Sequence, residues 1–503
     1  MSEEHMENRA DSNDNKNIAR RSFKAASWVL IVQFTTQFIQ ILLGICMVRL
    51  LEPSDYGIVG MLAIFWAVSI VFIRGGFGAA LIQKKDINEV DLCSVFYYNI
   101  FLSFLCCGLM LGFAHKIAVF YGQEILEQTI KVSAWALPIS AMVSVQNVIL
   151  DRQLKQFFRK LSILISNVIA GLVAICLAWR GMGVWAIVWQ QFLATLFTSI
   201  SIFLFVRWIP KLKFSFKSLT SLFAFGSKLI VVELLDVFTI NFGDMVIGKC
   251  YTSETLGFYS RSKYFSRLWP YSVQWAIGDV LFPAFSKIQD DLLRLRNAFR
   301  RALMLSAFAV IFPPFLLCTL CKPLIILVLG EKWLPCLPYW WLTTCAFAFF
   351  PIQILNIQLL KARGRSDLFL ILEITKKFLF AIQIVVLILW GIIPMLVCEI
   401  TFSLICVYLN SFFTGRDLNY GMADQLYDLL PYVGLTIPAC ILGWLSYLAI
   451  TPFNPWLGLV LSGFIGAFAY MALNRIFKTQ ALSEIINLVG YRFPAIKNLL
   501  LLK

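Results

Sequence analysis

Residues 92–114 read LCSVFYYNIFLSFLCCGLMLGFA, a run of 23 residues without a charge. A run of this length can cross a bilayer as a helix, because the hydrocarbon core requires about 20 apolar residues. The whole chain shares this character: 60% of its 503 residues are hydrophobic, 14% are charged, and the mean hydropathy is +0.79. Soluble domains carry roughly 25% charged residues. The sequence therefore predicts an all-α integral membrane protein.

Apolar windows of similar length recur along the chain and predict about 14 transmembrane helices. The windows are 26–48, 56–74, 92–114, 130–150, 161–179, 183–206, 223–247, 254–282, 301–321, 336–358, 368–390, 394–413, 429–450 and 455–474. The seventh and eighth windows give the weakest predictions, because they contain several charged residues.

Lys and Arg are concentrated in every second loop. When the N-terminus is placed inside, the inside segments hold basic clusters such as 20–24, 152–160, 207–217 and 287–301. The outside loops hold only Arg49, Lys116, Arg180, Lys249, Lys322 and Lys332. An excess of basic residues marks cytoplasmic loops, so both termini are predicted to be cytoplasmic. The same bias accounts for the net charge of +15, and we expect contacts with membrane lipids and none with nucleic acid.

A repeat is visible at an offset of 200 residues. The first predicted helix leads into RLLEPSDYG at 49–57, and the seventh leads into KCYTSETLG at 249–257. We interpret this as two six-helix lobes in parallel repeat, followed by two extra C-terminal helices. The predicted divisions are a cytoplasmic tail at 1–25, an N-lobe at 26–213, a C-lobe at 214–415, helices 13 and 14 within 425–475, and a cytoplasmic tail at 476–503.

Residues suited to covalent chemistry are scarce. Only two histidines occur, His5 and His115, and the chain has no Walker phosphate-binding motif. The thirteen cysteines lie mostly in apolar runs, where they act as small hydrophobic residues. The chain is therefore expected to be a transporter, without catalytic residues, a metal site or a cofactor.

The informative residues are polar groups inside the predicted helices. A charge at the bilayer centre costs at least about 2.5–3.5 kcal/mol, so such groups normally face a polar interior. The candidates for binding a substrate are Lys263, Arg267, Lys376, Lys377, Gln33, Gln37, Gln40 and Gln274. The candidates for binding a coupling ion or for charge pairing are Glu233, Asp236, Asp244 and Glu373. One interpretation is a water-filled cavity that holds an anionic headgroup, with Na⁺ or H⁺ as the coupling ion. The alternative is that Glu233 or Asp236 pairs with Lys263 or Arg267 and joins two helices.

Three stretches carry a family resemblance. They are LEPSDYGIVGM at 51–61, GFGAALIQKK at 76–85 and PAFSKIQDD at 283–291. They resemble the polysaccharide transporters of the multidrug/oligosaccharidyl-lipid/polysaccharide (MOP) flippase superfamily, in the Wzx-type and colanic-acid-exporter branch. The resemblance implies a MOP/MATE-like fold and a location in the bacterial inner membrane.

The resemblance also implies a function. A Wzx-type flippase carries undecaprenyl-diphosphate-linked oligosaccharide repeat units to the periplasmic leaflet during polysaccharide or lipopolysaccharide biosynthesis. The implied diphosphate ligands are Lys263, Arg267, Lys376 and Lys377, and the implied protein partners are a polysaccharide polymerase and chain-length machinery. Two alternatives stay open within the superfamily: a lipid II flippase and a cation-coupled multidrug antiporter. A drug antiporter would favour an acidic site, whereas the stripe on the eighth helix is basic.

Overall fold

The described part of the chain consists of helices joined by short loops. The structure is a computed structural model, and it describes residues 32, 35–84, 86–153 and 155–492, among which no β-strand occurs. The α-helices of the first half are α1 Thr35–Leu50, α2 Pro53–Arg74, α3 Phe77–Gln83, α4 Glu89–Tyr121, α5 Ile125–Ser133, α6 Ala136–Ala141, α7 Ser144–Arg152, α8 Gln156–Trp179, α9 Val184–Val206 and α10 Phe216–Cys250. Those of the second half are α11 Ser253–Lys287, α12 Leu292–Val310, α13 Phe312–Thr319, α14 Cys321–Leu324, α15 Leu337–Ala348, α16 Phe350–Ala362, α17 Ser366–Trp390, α18 Ile392–Leu418, α19 Met422–Ile450, α20 Pro455–Ile476 and α21 Gln480–Arg492.

Most predicted spans coincide with helices that are long and apolar enough to cross a membrane. Among the described residues nine segments meet this criterion, and a tenth does so if the bent pair Ile125–Ala141 and Ser144–Arg152 is one span. The protein is therefore an all-α, multi-pass membrane protein, as the composition predicts. The count of 14 spans stays a prediction.

Three further helices are long enough to span but carry more charged residues. Helices α10 and α11 have 35 residues each and α17 has 25, and a helix of about 20 residues already spans 30 Å. They correspond to the predicted seventh, eighth and eleventh spans, and they carry the ionisable candidates. The predicted first span is described only in part, because residues 26–31 and 33–34 lie outside the described residues.

The helix order repeats along the chain. Helix α2 begins at Pro53 and α11 at Ser253, an offset of 200 residues; α9 begins at Val184 and α18 at Ile392, an offset of 208. The helix break differs between the two copies. Helix α2 ends at Gly75, which adopts a left-handed conformation with φ of 55°, and α3 follows, whereas α11 continues unbroken through two prolines.

The chain divides into two compact units, 1–254 and 255–503. In the first unit α10 packs against α2, α3 and α4, although the repeat assigns α10 to the predicted C-lobe. The contact with α3 is a backbone contact, because the carbonyl group of Gly226 lies directly against Gly76 and leaves no room for a side chain. The predicted lobe boundaries at 213 and 415 follow the repeat, and nothing in this division tests them.

The second unit contains a large apolar core that includes the last two spans. Tyr470 of α20 stacks on Phe312 with ring centroids 4.4 Å apart, and its hydroxyl donates to the carbonyl of Phe308 at 3.2 Å. Asp428 of α19 accepts two hydrogen bonds of 2.6 Å from the Arg300 guanidinium of α12. These contacts attach α19 and α20 to the helices of the second repeat.

Candidate functional site

The cations of α11 lie on one face of the helix. Tyr259, Lys263, Arg267 and Tyr271 follow one another at intervals of four residues, which aligns their side chains along a helix. Lys263 is 9% exposed, and its Nζ atom lies 5.4 Å from the centre of the Tyr259 ring. The structure therefore places both predicted cations on a single aromatic-flanked stripe of the second unit.

The neighbouring face of α11 is held against α15 by hydroxyl groups. Ser266 Oγ lies 2.7 Å from Thr343 Oγ1 and 3.0 Å from Thr344 Oγ1, and Ser262 Oγ donates to the carbonyl of Cys336 at 3.1 Å. Small hydroxyl residues allow close helix approach in membranes and satisfy each other's hydrogen bonds there. This contact fixes the rotation of α11 and therefore the direction of its cationic stripe.

Arg267 is surrounded by aromatic rings rather than by carboxylates. Its guanidinium carbon lies 4.5 Å from the centre of the Phe347 ring and 5.7 Å from that of Tyr271. Tyr271 in turn stacks on Phe350 with centroids 4.9 Å apart. Within the part of the chain that the structure describes, the Arg267 side chain makes no hydrogen bond or ion pair, and its buried Nε atom has no partner.

This arrangement leaves the charge of Arg267 available. The negative face of an aromatic ring stabilises a cation without neutralising it. A half-buried guanidinium without a counter-charge is costly in a membrane, and it carries five donors in a planar fork that suits phosphate oxygens. The site can therefore bind an anion in a bidentate manner.

The cations of α17 have a different environment. Lys376 Nζ lies 2.9 Å from Glu373 Oε1, one helical turn away, and both side chains are half-buried. Glu373 therefore offsets the charge of Lys376. Lys377 is half-buried on the same helix.

The acidic candidates lie on α10 in the first unit. Glu233, near the middle of this 35-residue helix, is exposed and makes no hydrogen bond or ion pair with the residues described here. Asp236 is exposed as well. Asp244 is half-buried and interacts electrostatically with Tyr121, whose buried hydroxyl group has no hydrogen-bond partner among the described residues.

The glutamine candidates are only partly described. Gln37 is half-buried and Gln40 is exposed on α1. Gln33 lies outside the described residues, and so does the side chain of Gln274. The structure therefore brings Lys263 and Arg267 together, and it places the acids and the first-helix glutamines on other helices.

Sequence reasoning missed the groups that surround Arg267. Phe347 and Phe350 are about 80 residues away along the chain, and no local pattern connects them with α11. Two sequence features could have indicated the α11–α15 contact. Ser262 and Ser266 are four residues apart and share one face of α11, and the predicted tenth span contains the adjacent hydroxyl residues Thr343 and Thr344.

Comparison with known proteins identifies the class. Residues 46–338 match the family described as "Polysaccharide biosynthesis protein", and the chain belongs to this family. The predicted kinship with the polysaccharide transporters is thereby confirmed.

Three relatives show how far the likeness extends. The succinoglycan biosynthesis transport protein ExoT of Rhizobium meliloti is 25% identical over 57% of this chain and 58% of its own length. The lipopolysaccharide biosynthesis protein WzxC of Escherichia coli is 23% identical over 73% of this chain and 75% of its own length. The teichuronic acid biosynthesis protein TuaB of Bacillus subtilis is 27% identical over 70% and 73%, respectively. The chain thus spans little more than half of ExoT and about three quarters of the other two.

Two solved structures share the fold. The lipid II flippase MurJ in an inward closed conformation has a TM-score of 0.71 at 16% identity, covering 89% of this chain and 98% of that protein. An outward-facing multidrug resistance MATE family transporter of the MOP superfamily has a TM-score of 0.51 at 14% identity, covering 79% and 96%. These similarities confirm the MOP/MATE-like fold.

Proposed function

We propose that the protein is a flippase that moves undecaprenyl-diphosphate-linked oligosaccharide repeat units from the cytoplasmic to the periplasmic leaflet of the bacterial inner membrane. Family membership and relatives named for polysaccharide biosynthesis and transport support this proposal. The observation that carries it is Arg267, a guanidinium without a carboxylate partner within the described residues, on the same face of α11 as the buried Lys263.

The chemistry of the cargo explains the need for such a site. A diphosphate headgroup carries about two negative charges, and burying an unpaired charge in hydrocarbon is prohibitively costly. Arg267 and Lys263 supply charge-assisted hydrogen bonds that replace the lost water. Lys377 and the glutamines of α1 and α11 are proposed to add contacts to the phosphates and sugars. Lys376 contributes less, because Glu373 offsets its charge.

We further propose that transport proceeds by alternating access. Glu233, Asp236 or Asp244 would bind Na⁺ or H⁺ as the coupling ion. An inside-negative membrane potential assists the outward movement of negative charge by about 2.3 kcal/mol per charge per 100 mV. The exported units would pass to a polysaccharide polymerase and its chain-length machinery at the periplasmic face.

The experiment replaces the two cations of α11 in cells that lack the chromosomal copy of the gene. Charge-assisted hydrogen bonds contribute about 1.5–3 kcal/mol each, so Lys263→Ala with Arg267→Ala should lower surface polysaccharide roughly 100-fold or more. Arg261→Ala is the matched control, because it removes one cation from the same helix outside the stripe. Membrane levels of each variant are measured by immunoblot.

The same strains distinguish the rival cargoes. Polysaccharide export that persists in the double variant, at normal protein level, would refute the cationic site. Growth rescue of cells depleted of their lipid II flippase would instead support lipid II as the cargo. Resistance to cationic compounds in an efflux-deficient strain would support a drug antiporter.

A further inference from the structure

Residues 207–217 join α9 to the first turn of α10, and we name them the α9–α10 strap. They read RWIPKLKFSFK and combine four cations with five large apolar side chains and a proline. The strap follows directly on the apolar span Val184–Val206. It therefore starts at a membrane surface, on the side that the charge bias assigns to the cytoplasm.

The backbone of the strap is fixed to the beginning of α4. The Tyr97 hydroxyl donates to the carbonyl of Lys211 at 3.3 Å, and the backbone N–H of Ser215 donates to Ser94 Oγ at 2.9 Å. Lys211 Nζ lies 2.9 Å from Glu89, and this hydrogen bond raises the pKa of Lys211 above its ordinary value. The strap is thus an irregular segment that is docked on α4 rather than a free loop.

The side of the strap that faces away from the protein exposes several large apolar side chains. Leu212 is 96% exposed and Phe216 is 75% exposed, and Ile209 and Phe214 also project from the protein. Contiguous exposed apolar groups mark an interaction surface. Because this surface adjoins the end of a span, its apolar side chains lie next to the boundary between the lipid headgroups and the acyl chains.

Cations alternate with these apolar side chains. The side chains of Arg207, Lys213 and Lys217 are exposed and make no hydrogen bond or ion pair with the residues that the structure describes. Within this neighbourhood Glu89 is the carboxylate that pairs with a strap residue, and it is bonded to Lys211. The strap therefore keeps a surplus of positive charge at the level of the lipid headgroups.

We propose that the α9–α10 strap is a docking surface for anionic phospholipids of the adjoining leaflet. Lys213 and Lys217 contact the headgroup phosphates, while Leu212 and Phe216 enter the acyl boundary. Basic and aromatic side chains at a membrane surface bind anionic lipid by charge and by apolar burial together. The proposal does not depend on the identity of the transported cargo.

The test measures lipid binding by the purified full-length protein in a neutral detergent. Phosphatidylglycerol or phosphatidylcholine is titrated, and the increase in melting temperature gives the apparent affinity. A cation near an anionic surface contributes on the order of 1 kcal/mol, so Lys213→Gln with Lys217→Gln should weaken phosphatidylglycerol binding about 30-fold. Binding of phosphatidylcholine should not change.

A matched control removes two other exposed cations on the same predicted side, Lys155→Gln with Lys287→Gln, and should leave phosphatidylglycerol binding within a factor of about three. Leu212→Ser with Phe216→Ser should weaken the binding of both lipids alike, because it removes apolar burial and no charge. Equal effects of the strap and control pairs on phosphatidylglycerol binding would overturn the proposal.

A competition experiment separates bilayer phospholipid from the diphosphate group of a cargo. Inorganic pyrophosphate is added at millimolar concentration to the phosphatidylglycerol titration. No displacement beyond that caused by sulfate at equal ionic strength is the expected result. Specific displacement by pyrophosphate that is lost in the Lys213→Gln, Lys217→Gln variant would overturn the proposal in favour of a diphosphate site.

Discussion

The Arg300–Asp428 pair should be a principal attachment of the α19–α20 helix pair to the second unit. Asp428 is 8% exposed and accepts two hydrogen bonds of 2.6 Å from Arg300, together with one of 2.5 Å from the Tyr420 hydroxyl. Removal of one partner from a buried ion pair costs about 3–5 kcal/mol. Because the Arg300 side chain is 46% exposed, water screens part of this cost, and we expect about 2–3 kcal/mol for Arg300→Ala.

This loss should lower the melting temperature by about 4–12 °C, given the usual scaling for a unit of this size. A thiol-reactive fluorescent dye can follow unfolding in detergent, because all thirteen cysteines are free and several are buried. Arg301→Ala is the matched control: its partner Glu484 lies 3.3 Å away, but the Arg301 side chain is 64% exposed, so we expect a change of at most about 1 kcal/mol.

A double variant tests the cause. Arg300→Met with Asp428→Leu removes both charges and should restore part of the loss, since the penalty arises mainly from a buried carboxylate that has lost its counter-charge. The reasoning would be refuted if Arg300→Ala melted at the same temperature as Arg301→Ala. It would also be refuted if the double variant lost more melting temperature than the losses of Arg300→Met and Asp428→Leu added together.

Two further substitutions follow from the structure. Gly76→Ala should lower the melting temperature by several degrees. The φ of +66° at this position costs a residue with a side chain about 1–2 kcal/mol, and a Cβ would collide with the backbone of Gly226. Gly112→Ala is the control and should not lower the melting temperature, because a Cβ there enters open space on α4. Glu373→Gln should destabilise the protein in the dye assay because it leaves Lys376 without its counter-charge, and adding Lys376→Gln should recover stability; no recovery would show that the pair is not the cause.

The sequence predicts the spans well but underestimates their length. Residues 92–114 lie inside α4, yet the helix extends from Glu89 to Tyr121. Its ends are set by polar signals that a hydropathy window ignores: a reciprocal cap between Asn88 and Asp91, and the left-handed Gly122. The predicted second span ends at residue 74, where α2 ends. The short helix α3 was not predicted, since it begins after two consecutive glycines and is not a separate apolar window.

The candidate site was predictable only where helical periodicity suffices. The spacing of four residues identifies Lys263 and Arg267 as neighbours on α11, and the spacing of three allows Lys376 to pair with Glu373. The contact between Arg267 and Phe347 depends on how α11 packs on α15. Long-range packing of this kind has no local sequence signature, so the aromatic surroundings of the guanidinium could not be predicted.

The repeat provides an internal control on what the cations of α11 are for. At the 200-residue offset, Ala63 and Ala67 of α2 occupy the positions of Lys263 and Arg267, and both helices begin at corresponding residues. Helix α2 forms with alanine at both positions, so a helix at this place in the repeat does not require the two charges. Lys263→Ala with Arg267→Ala reproduces the side chains that the first copy already has. We therefore expect the double variant to fold with an unchanged or higher melting temperature, and a loss of export in a stably folded protein would assign the two cations to function.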